Sequence, residues 1–176
     1  RLSSQKNVNP TGSGGTGEVE DYIVAVQSAP VDFGDNSQLG SASSIVSTGI
    51  RIGSNATDAE TSYPANSTAT GDDIVGTDDE DTTLPSFTLG AASNVTLSLF
   101  NNSGANAYVT AWADWNNDGA LDNSSERIIP ETTISSSASA QNRSFTVNVP
   151  ATAVKDSPIG IRLRFSSLSG IPSVGA

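Results

Sequence analysis

The chain has 176 residues, no histidine, cysteine or methionine, and a formal net charge of −11 from 19 acidic and 8 basic side chains. Without histidine and cysteine it has no Ser-His or Cys-His nucleophile, no His-ligated zinc and no disulfide, so we expect no enzyme. The negative charge disfavours nucleic acids and anionic membranes and favours cations, and no apolar run approaches the roughly 20 residues that span a bilayer.

The first predicted unit is an N-terminal arm, residues 1–28, which contains the acidic sequence GEVEDY at residues 17–22. The apolar run that follows predicts a strand over residues 22–26 that pairs with a neighbouring unit. Its strand-exchange residues are Tyr22, Ile23, Val24 and Val26. Three acidic residues of the motif are candidate calcium ligands at such a junction, or else a solvated start of the strand: Glu18, Glu20 and Asp21.

The second predicted unit, residues 29–176, alternates apolar and polar residues with a period of two, as half-buried strands do. Predicted strands cover residues 45–52, 84–89, 95–100, 108–115, 127–134, 145–149 and 159–165, and no amphipathic helix is found. Gly, Asn, Asp and Ser clusters separate these strands, so the pattern predicts an all-β, antiparallel sandwich of jelly-roll type. Residues 151–155 predict one short turn.

A long acidic connection covers residues 54–83 and contains almost no large apolar residue. A connection of this length in a compact domain is either disordered or organised by a ligand. Divalent ions would cancel the repulsion between its carboxylates, while a solvated acidic loop is the alternative. The candidate ligands are Asp58, Glu60, Asp72, Asp73, Asp78, Asp79, Glu80 and Asp81.

The sharpest motif is DWNNDGALDNSSE at residues 114–126, which places oxygen-bearing side chains at alternate positions before Gly119. This spacing is typical of calcium loops of the form D-x-[DN]-x-[DN]-G, although the last glutamate falls one position later than in an EF-hand and no helices flank it. An Asx-rich hairpin turn is the alternative interpretation. The candidate calcium ligands are Asp114, Asn116, Asp118, the Ala120 carbonyl, Asp122 and Glu126.

The order of these motifs resembles the GEVED domain, a family of large secreted bacterial proteins. The matching sequences are GEVEDY, VDFGD, the acidic GDDIVGTDDED, the tryptophan-bearing VTAWADWNNDGALDNSSERI and the final VPATAVKDSPIGIRLRFSS. The resemblance implies an extracellular or cell-surface β-sandwich supported by calcium, for which we expect one to three ions. In the family GEVEDY normally ends the domain, whereas here it lies near the start.

A short internal repeat also indicates that the motif order is shifted relative to the family: RLSSQKNVNPTG begins the chain and the similar RLRFSSLSGIPSVGA ends it. The sequence therefore predicts that the arm's strand fills a gap in a neighbouring unit. Three functions stay open: a head-to-tail extracellular filament joined by strand exchange, one repeat of a tandem surface adhesin, or a lone module that binds carbohydrate or another ligand. Surface glycans also stay open. Sequons occur at Asn55, Asn66, Asn94, Asn101, Asn123 and Asn142, most of which a chain this rich in Asn, Ser and Thr contains by chance, and O-linked sugars on the hydroxyl-rich surface are the alternative.

Overall fold

The computed structural model describes residues 2–71, 79 and 81–175, and within these ranges the chain is almost entirely β. No helix in the described ranges has the length and apolar character needed to cross a membrane. A single 3-10 turn at Ser37–Leu39 is the helical element found there. In chain order the strands are β1 Leu2–Ser3, β2 Gly17–Glu18, β3 Val31–Phe33, β4 Ser43–Ile45, β5 Ile50–Ile52, β6 Ala92–Asn101, β7 Ala107–Ala113, β8 Arg127–Ile134, β9 Gln141–Asn148 and β10 Ile161–Ser166.

Two three-stranded antiparallel sheets, with orders β10-β7-β8 and β5-β6-β9, carry the hydrophobic core. Every second residue of β6 faces inward, and Val95, Leu97 and Leu99 are at most 1% exposed. They join Val109 and Ile129 of the other sheet in one continuous cluster. The period of two that the sequence shows thus corresponds to burial of one strand face, as expected for half-buried antiparallel strands.

Strand β7 is buried on both faces, because it is the middle strand of its sheet and each face has a cover. One face contributes to the core, whereas Trp112 on the other face packs with Leu39 and Leu121 in a second, smaller cluster. Strand β8 lies at the edge of this sheet and contains Pro130, which has no N–H to donate to a further neighbour.

Two arginines of β10 hold the cover of this second face. Arg162 donates to the carbonyls of Leu39, Gly40 and Ser173 at 2.8–3.0 Å. Arg164 donates to the carbonyls of Ser43, Pro172 and Gly175 at 2.7–3.1 Å. These six bonds tie residues 39–43 and 172–175 to the sheet, and both arginines are about as buried as core residues, at 5% and 6% exposure. The sequence pattern would place the two side chains on a solvated face.

Several strand predictions need correction. Residues 45–52 do not form one strand: β4 ends at Ile45 and β5 begins at Ile50, and the intervening turn moves the chain from one sheet to the other. Residues 84–89 form no strand, although Leu84 and Phe87 pack against the core without ladder hydrogen bonds. The predicted strand 22–26 is also absent, since nothing in the described chain pairs with it. Strand β3 was missed, while strand 127–134 and the short turn near residue 151 are confirmed.

Candidate metal loops and the N-terminal arm

The loop at residues 114–126 leaves the end of β7 and is organised around Asp114, which is 1% exposed. The two carboxylate oxygens of Asp114 accept from the backbone N–H groups of Asp118 and Gly119, at 3.0 and 2.9 Å. Gly119 has φ +81°, and a Cβ there would lie 2.8 Å from the Gln38 carbonyl oxygen. Only glycine fits this turn without strain, so the glycine of the motif has a conformational reason.

The other motif residues divide between the rim and the interior of the loop. Asn116 and Asp118 hydrogen-bond each other at the exposed rim, with 2.9 Å between Nδ2 and Oδ2. Asp122 accepts from the backbone N–H and hydroxyl groups of Ser124 and Ser125, and these bonds, the Ser125 hydroxyl foremost, hold its pKa well below its usual range. Asp122 therefore acts as the cap of a serine turn in this arrangement.

Glu126 is the one acid of this loop with an unused buried oxygen. It is 2% exposed, its Oε2 accepts from the Asp122 N–H at 3.0 Å, and its Oε1 is buried without a hydrogen-bond partner. A buried carboxylate oxygen without a hydrogen-bond partner is costly. Hard cations such as calcium bind carboxylate oxygens as ligands. Asp114 and Glu126 thus fit a calcium site chemically, and the Ala120 carbonyl stays a predicted ligand.

The acidic connection folds back on β5 through Asp81. One carboxylate oxygen of Asp81 accepts from Ser54 N–H and Oγ and from Asn55 N–H, at 2.5–3.0 Å. Burial raises the pKa of Asp81, but these hydrogen bonds outweigh it, and the pKa lies below its ordinary value. Gly53, at φ +82°, leaves the space that the carboxylate occupies.

Asp58 and Glu60 form a second group of carboxylates beside β3. Glu60 Oε2 accepts from the Phe33 N–H at 2.8 Å, and the Asp58 N–H donates to Asp79 Oδ2 at 3.3 Å. Burial raises the pKa of Glu60 to about 7, against the Phe33 hydrogen bond, and the carboxyls of Asp58 and Asp32 add to the rise. One oxygen in each of Asp58, Glu60 and Asp81 is buried without a partner.

The structure does not gather the predicted ligands into a finished metal cage. Across residues 2–71, 79 and 81–175, no three acidic side chains converge with the geometry needed to hold an ion. Asp72, Asp73, Asp78 and Glu80 lie outside the described residues. The sequence pattern does not single out Asp35, which is 4% exposed and whose Oδ2 accepts from the Gly71 N–H at 2.7 Å. This bond anchors the middle of the acidic connection.

The arm contrasts with these loops, because it makes almost no contact with the rest of the chain. Tyr22, Ile23, Val24 and Val26 are 79%, 103%, 77% and 94% exposed. Glu18, Glu20 and Asp21 are exposed too, and Glu20 accepts a hydrogen bond from the Tyr22 hydroxyl. Beyond the two-residue pairing of β1 with β2, residues 2–28 of the arm have no strand partner in the described chain.

One of the sequon asparagines is part of the buried core and does not lie on the surface. Asn101 is fully buried, and its Nδ2 donates to the carbonyls of Ala105 and Ile134 at 2.9 and 2.8 Å. A glycan would replace one of the two donor hydrogens on this nitrogen and has no space at a fully buried side chain, so the geometry disfavours glycosylation at Asn101. Asn123 likewise accepts from the Trp112 indole at 2.9 Å, which ties the loop at residues 114–126 to β7.

Comparison with known proteins gives one family match. The GEVED domain model matches residues 108–175, from β7 to the segment held by Arg164. No curated protein and no solved structure matches the chain. The matched segment is less than half of the chain and does not include the GEVEDY sequence at residues 17–22. The match therefore confirms the resemblance to the GEVED domain over residues 108–175.

Proposed function

We propose that the protein is a structural subunit of a bacterial extracellular filament or surface fibre, assembled head-to-tail by β-strand complementation and stabilised by calcium. The observation that carries the proposal is the exposure of four consecutive or alternate apolar side chains in the arm, Tyr22, Ile23, Val24 and Val26. Contiguous apolar residues left in water mark a surface that another molecule covers.

The receiving body is a β-sandwich of jelly-roll type in this proposal, formed by the two three-stranded sheets that share the core. A sandwich with open edges offers unpaired backbone groups to an added strand. Burial of three arm side chains contributes on the order of 5 kcal/mol before the cost of association is subtracted. One arm and one acceptor in each copy make a heterologous contact, which propagates into a fibre when it does not close.

Calcium has a structural role in the proposal. The buried, unpartnered Oε1 of Glu126 and the buried Asp114 are its strongest support in the loop at residues 114–126. In the acidic connection, the unpartnered oxygens of Asp58, Glu60 and Asp81 support a second ion. A cation would join carboxylates that otherwise repel each other, which a chain without disulfides needs outside the cell. The surface location rests on the family match and this chemistry.

A tandem-repeat adhesin is the second candidate, and the internal repeat between the first and last residues of the sequence favours it. In that case the arm's strand reaches a covalent neighbour instead of a second chain. The lone binding module is weaker, because the cleft near Asp114 and Asp118 in the described chain has no aromatic lining for a sugar.

The test of assembly is sedimentation velocity and negative-stain electron microscopy of the full chain across a hundredfold range of concentration. We expect a ladder of oligomers that lengthens with concentration, and the same sample with Val24→Asp stays monomeric. A monomer at every concentration, with arm amides protected from exchange inside that monomer, contradicts the filament. A gene that encodes several adjacent copies of the unit would favour the tandem-repeat adhesin over the filament.

The test of calcium is a pair of thermal unfolding curves, one with calcium and one after exhaustive chelation. We expect the melting temperature to fall on chelation, and the fall to shrink in Glu126→Gln, which loses the unpartnered charged oxygen. Asp156→Asn is the matched control, because Asp156 is exposed and lies outside both acidic groups. Equal curves with and without calcium contradict the structural role of the ion.

A further inference from the structure

Strand β10 has a free edge. It pairs with β7 on one side, and in the described part of the chain no backbone hydrogen bond reaches its other side. The Gly160 carbonyl accepts from the Asp114 N–H at 2.9 Å, while the Ala113 N–H turns to the opposite neighbour and donates to the Glu126 carbonyl. Because bonding alternates along an antiparallel strand, Ile161, Leu163 and Phe165 direct their N–H and C=O groups away from β7.

The same three residues carry the apolar side of β10. Ile161, Leu163 and Phe165 pack against the core but are only partly buried, whereas Arg162 and Arg164 on the other side are 5% and 6% exposed. The arginine face of this edge strand is therefore covered, whereas its apolar face packs against the core and stays partly exposed. One added strand would cover this remaining apolar surface and pair the outward backbone groups.

The short hairpin at the N-terminus shows how GEVEDY pairs with a strand of the same sequence type. Leu2 lies opposite Glu18 and Ser3 opposite Gly17 in an antiparallel pair, and the Ser4 N–H donates to the Thr16 carbonyl at 3.1 Å. The sequence RLSS at residues 1–4 corresponds to RFSS at residues 164–167. Leu2 in the hairpin is thus the counterpart of Phe165 at the end of β10.

We propose that residues 17–26 of a second copy add to the free edge of β10 as an antiparallel strand, with Glu18 opposite Phe165 and Tyr22 opposite Ile161. The inference rests on the proposed function and names the acceptor strand and its register. In this register the donor uses the same backbone edge as in its pairing with β1, and each residue from 17 to 22 lies opposite one residue of β10.

Two observations agree with this register: the direction of the backbone groups and the face on which the side chains lie. The hairpin indicates that Glu18 exchanges backbone bonds with Leu2, and Phe165 is one of the residues whose backbone groups point outward. The register also places Tyr22 and Val24 on the face that carries Ile161. A shift by one residue would turn both side chains to the arginine face.

One pair of opposite charges favours the register, and two carboxylates oppose it unless they are neutralised. Asp21 comes to lie opposite Arg162, whose guanidinium already donates to three backbone carbonyls, so the gain there is charge neutralisation. Glu18 and Glu20 fall on the face of Phe165 and Leu163, where a bare carboxylate is costly. The register therefore requires a cation or solvent at these two residues, which makes strand addition dependent on calcium if no water reaches them.

A second copy is the occupant because in the single chain the segment does not fill this edge and its apolar residues stay exposed. The competitor for the donor is β1, which pairs with it over two residues. A two-stranded pair of that size is marginal in water. Exchange of β1 for β10 of the neighbour uses the same edge of the donor and gains several residue pairs.

The direct test is disulfide crosslinking, since the chain has no cysteine of its own. Leu163→Cys in one preparation is mixed with Glu20→Cys in another, and the two residues are opposite each other in the register. Facing residues of a bonded antiparallel pair lie about 5.5 Å apart between Cα atoms, within the range that a disulfide spans. Asp21→Cys is the matched control, because its side chain points to the other face.

We expect a mixed dimer with Glu20→Cys that forms at least tenfold faster than with Asp21→Cys. Equal rates with the two partners overturn the register, and so does exclusive formation within one chain when both cysteines are on the same molecule. If the unmodified chain does not assemble at any concentration, the proposed function fails together with this inference. If it assembles but the crosslink does not form, the register alone is wrong.

Hydrogen exchange on the unmodified protein tests the same register without a variant. In the monomer we expect fast exchange at the amides of Ile161, Leu163 and Phe165, and slow exchange at Arg162 and Arg164, whose N–H groups bond β7. In the assembly the first three amides become at least tenfold slower. Assembly without protection at those three amides overturns the choice of β10 as the acceptor.

Discussion

Two segments of this chain have a similar apolar alternation and opposite environments. Val95, Leu97 and Leu99 in β6 are at most 1% exposed, whereas Tyr22, Val24 and Val26 in the arm are 77–94% exposed. The difference lies in the neighbours: β6 pairs with β5 and β9 and faces a second sheet, whereas residues 22–26 of the arm pair with no strand in the described chain. An alternating pattern therefore specifies which face a strand will bury, but a partner decides whether it is buried.

The two segments differ in what they are expected to stabilise. The β6 face stabilises the folded chain, so its loss is felt in unfolding. The exposed arm contributes little to the folded chain, and under the proposed function its loss should be felt in assembly.

The largest effect is expected in the core. Leu97→Ala removes a fully buried side chain and should lower the free energy of unfolding by about 2–5 kcal/mol, measured by denaturant titration of dilute protein. The matched change in the arm, Ile23→Ala, should leave that free energy unchanged. An equal loss in both variants would show that the arm belongs to the core of its own chain.

The second effect is on assembly. Val24→Asp places a charge where the donor strand meets the apolar face of the acceptor, and we expect association to weaken about 100-fold, equivalent to nearly 3 kcal/mol. The monomer should keep its melting temperature, because Val24 is exposed there. Ala25→Asp, on the opposite face of the donor, should weaken association far less. Sedimentation equilibrium of the three proteins measures this, and identical values would refute a sided strand.

A third effect concerns the cover held by β10. Arg162→Met removes three charged hydrogen bonds and leaves the carbonyls of Leu39, Gly40 and Ser173 without their donor. We expect a loss of about 2–3 kcal/mol in the free energy of unfolding. Arg143→Met, on the exposed side of β9, is the control and should cost less than about 0.5 kcal/mol. A harmless Arg162→Met would mean that the cover is held by other contacts.

The smallest effect is a dependence on pH from Glu60. Its pKa in the folded chain, about 7, is above the ordinary 4.5, so between these values the folded state binds more protons than the unfolded state. Stability without calcium should therefore decrease as pH rises from 4.5 to 7, by on the order of 1 kcal/mol after allowance for solvent screening. Glu60→Gln should flatten this slope in thermal unfolding. An unchanged slope would assign the titration to another group.

The sequence predicts most of the regular strands and few of the loops. Alternation locates β6 to β10 because each turns an apolar face to the core, although β7 is buried on its other face too, and β8 is found with its observed bounds. It fails for residues 84–89, since Leu84 and Phe87 are buried by packing alone. It also misplaces Arg162 and Arg164, whose burial depends on carbonyls from residues 39–43 and 172–175, distant in sequence.

The candidate metal loops were predictable in part for a similar reason. The spacing in residues 114–126 identifies Asp114 and Gly119, because local turn geometry fixes both. Burial of Glu126 and Asp35 depends on how distant segments pack, which spacing does not encode. The arm's residues were identified by their motif, while their exposure follows from the lack of a strand partner in the single chain.

The most direct measurement is the size distribution of the unmodified chain in calcium, followed by sedimentation velocity from low to high micromolar concentration. If the exposed arm is a strand donor, the weight-average size rises continuously with concentration and falls back to the monomer on addition of excess peptide with the sequence of residues 17–26. A single species of monomer size throughout, unaffected by the peptide, would contradict the account.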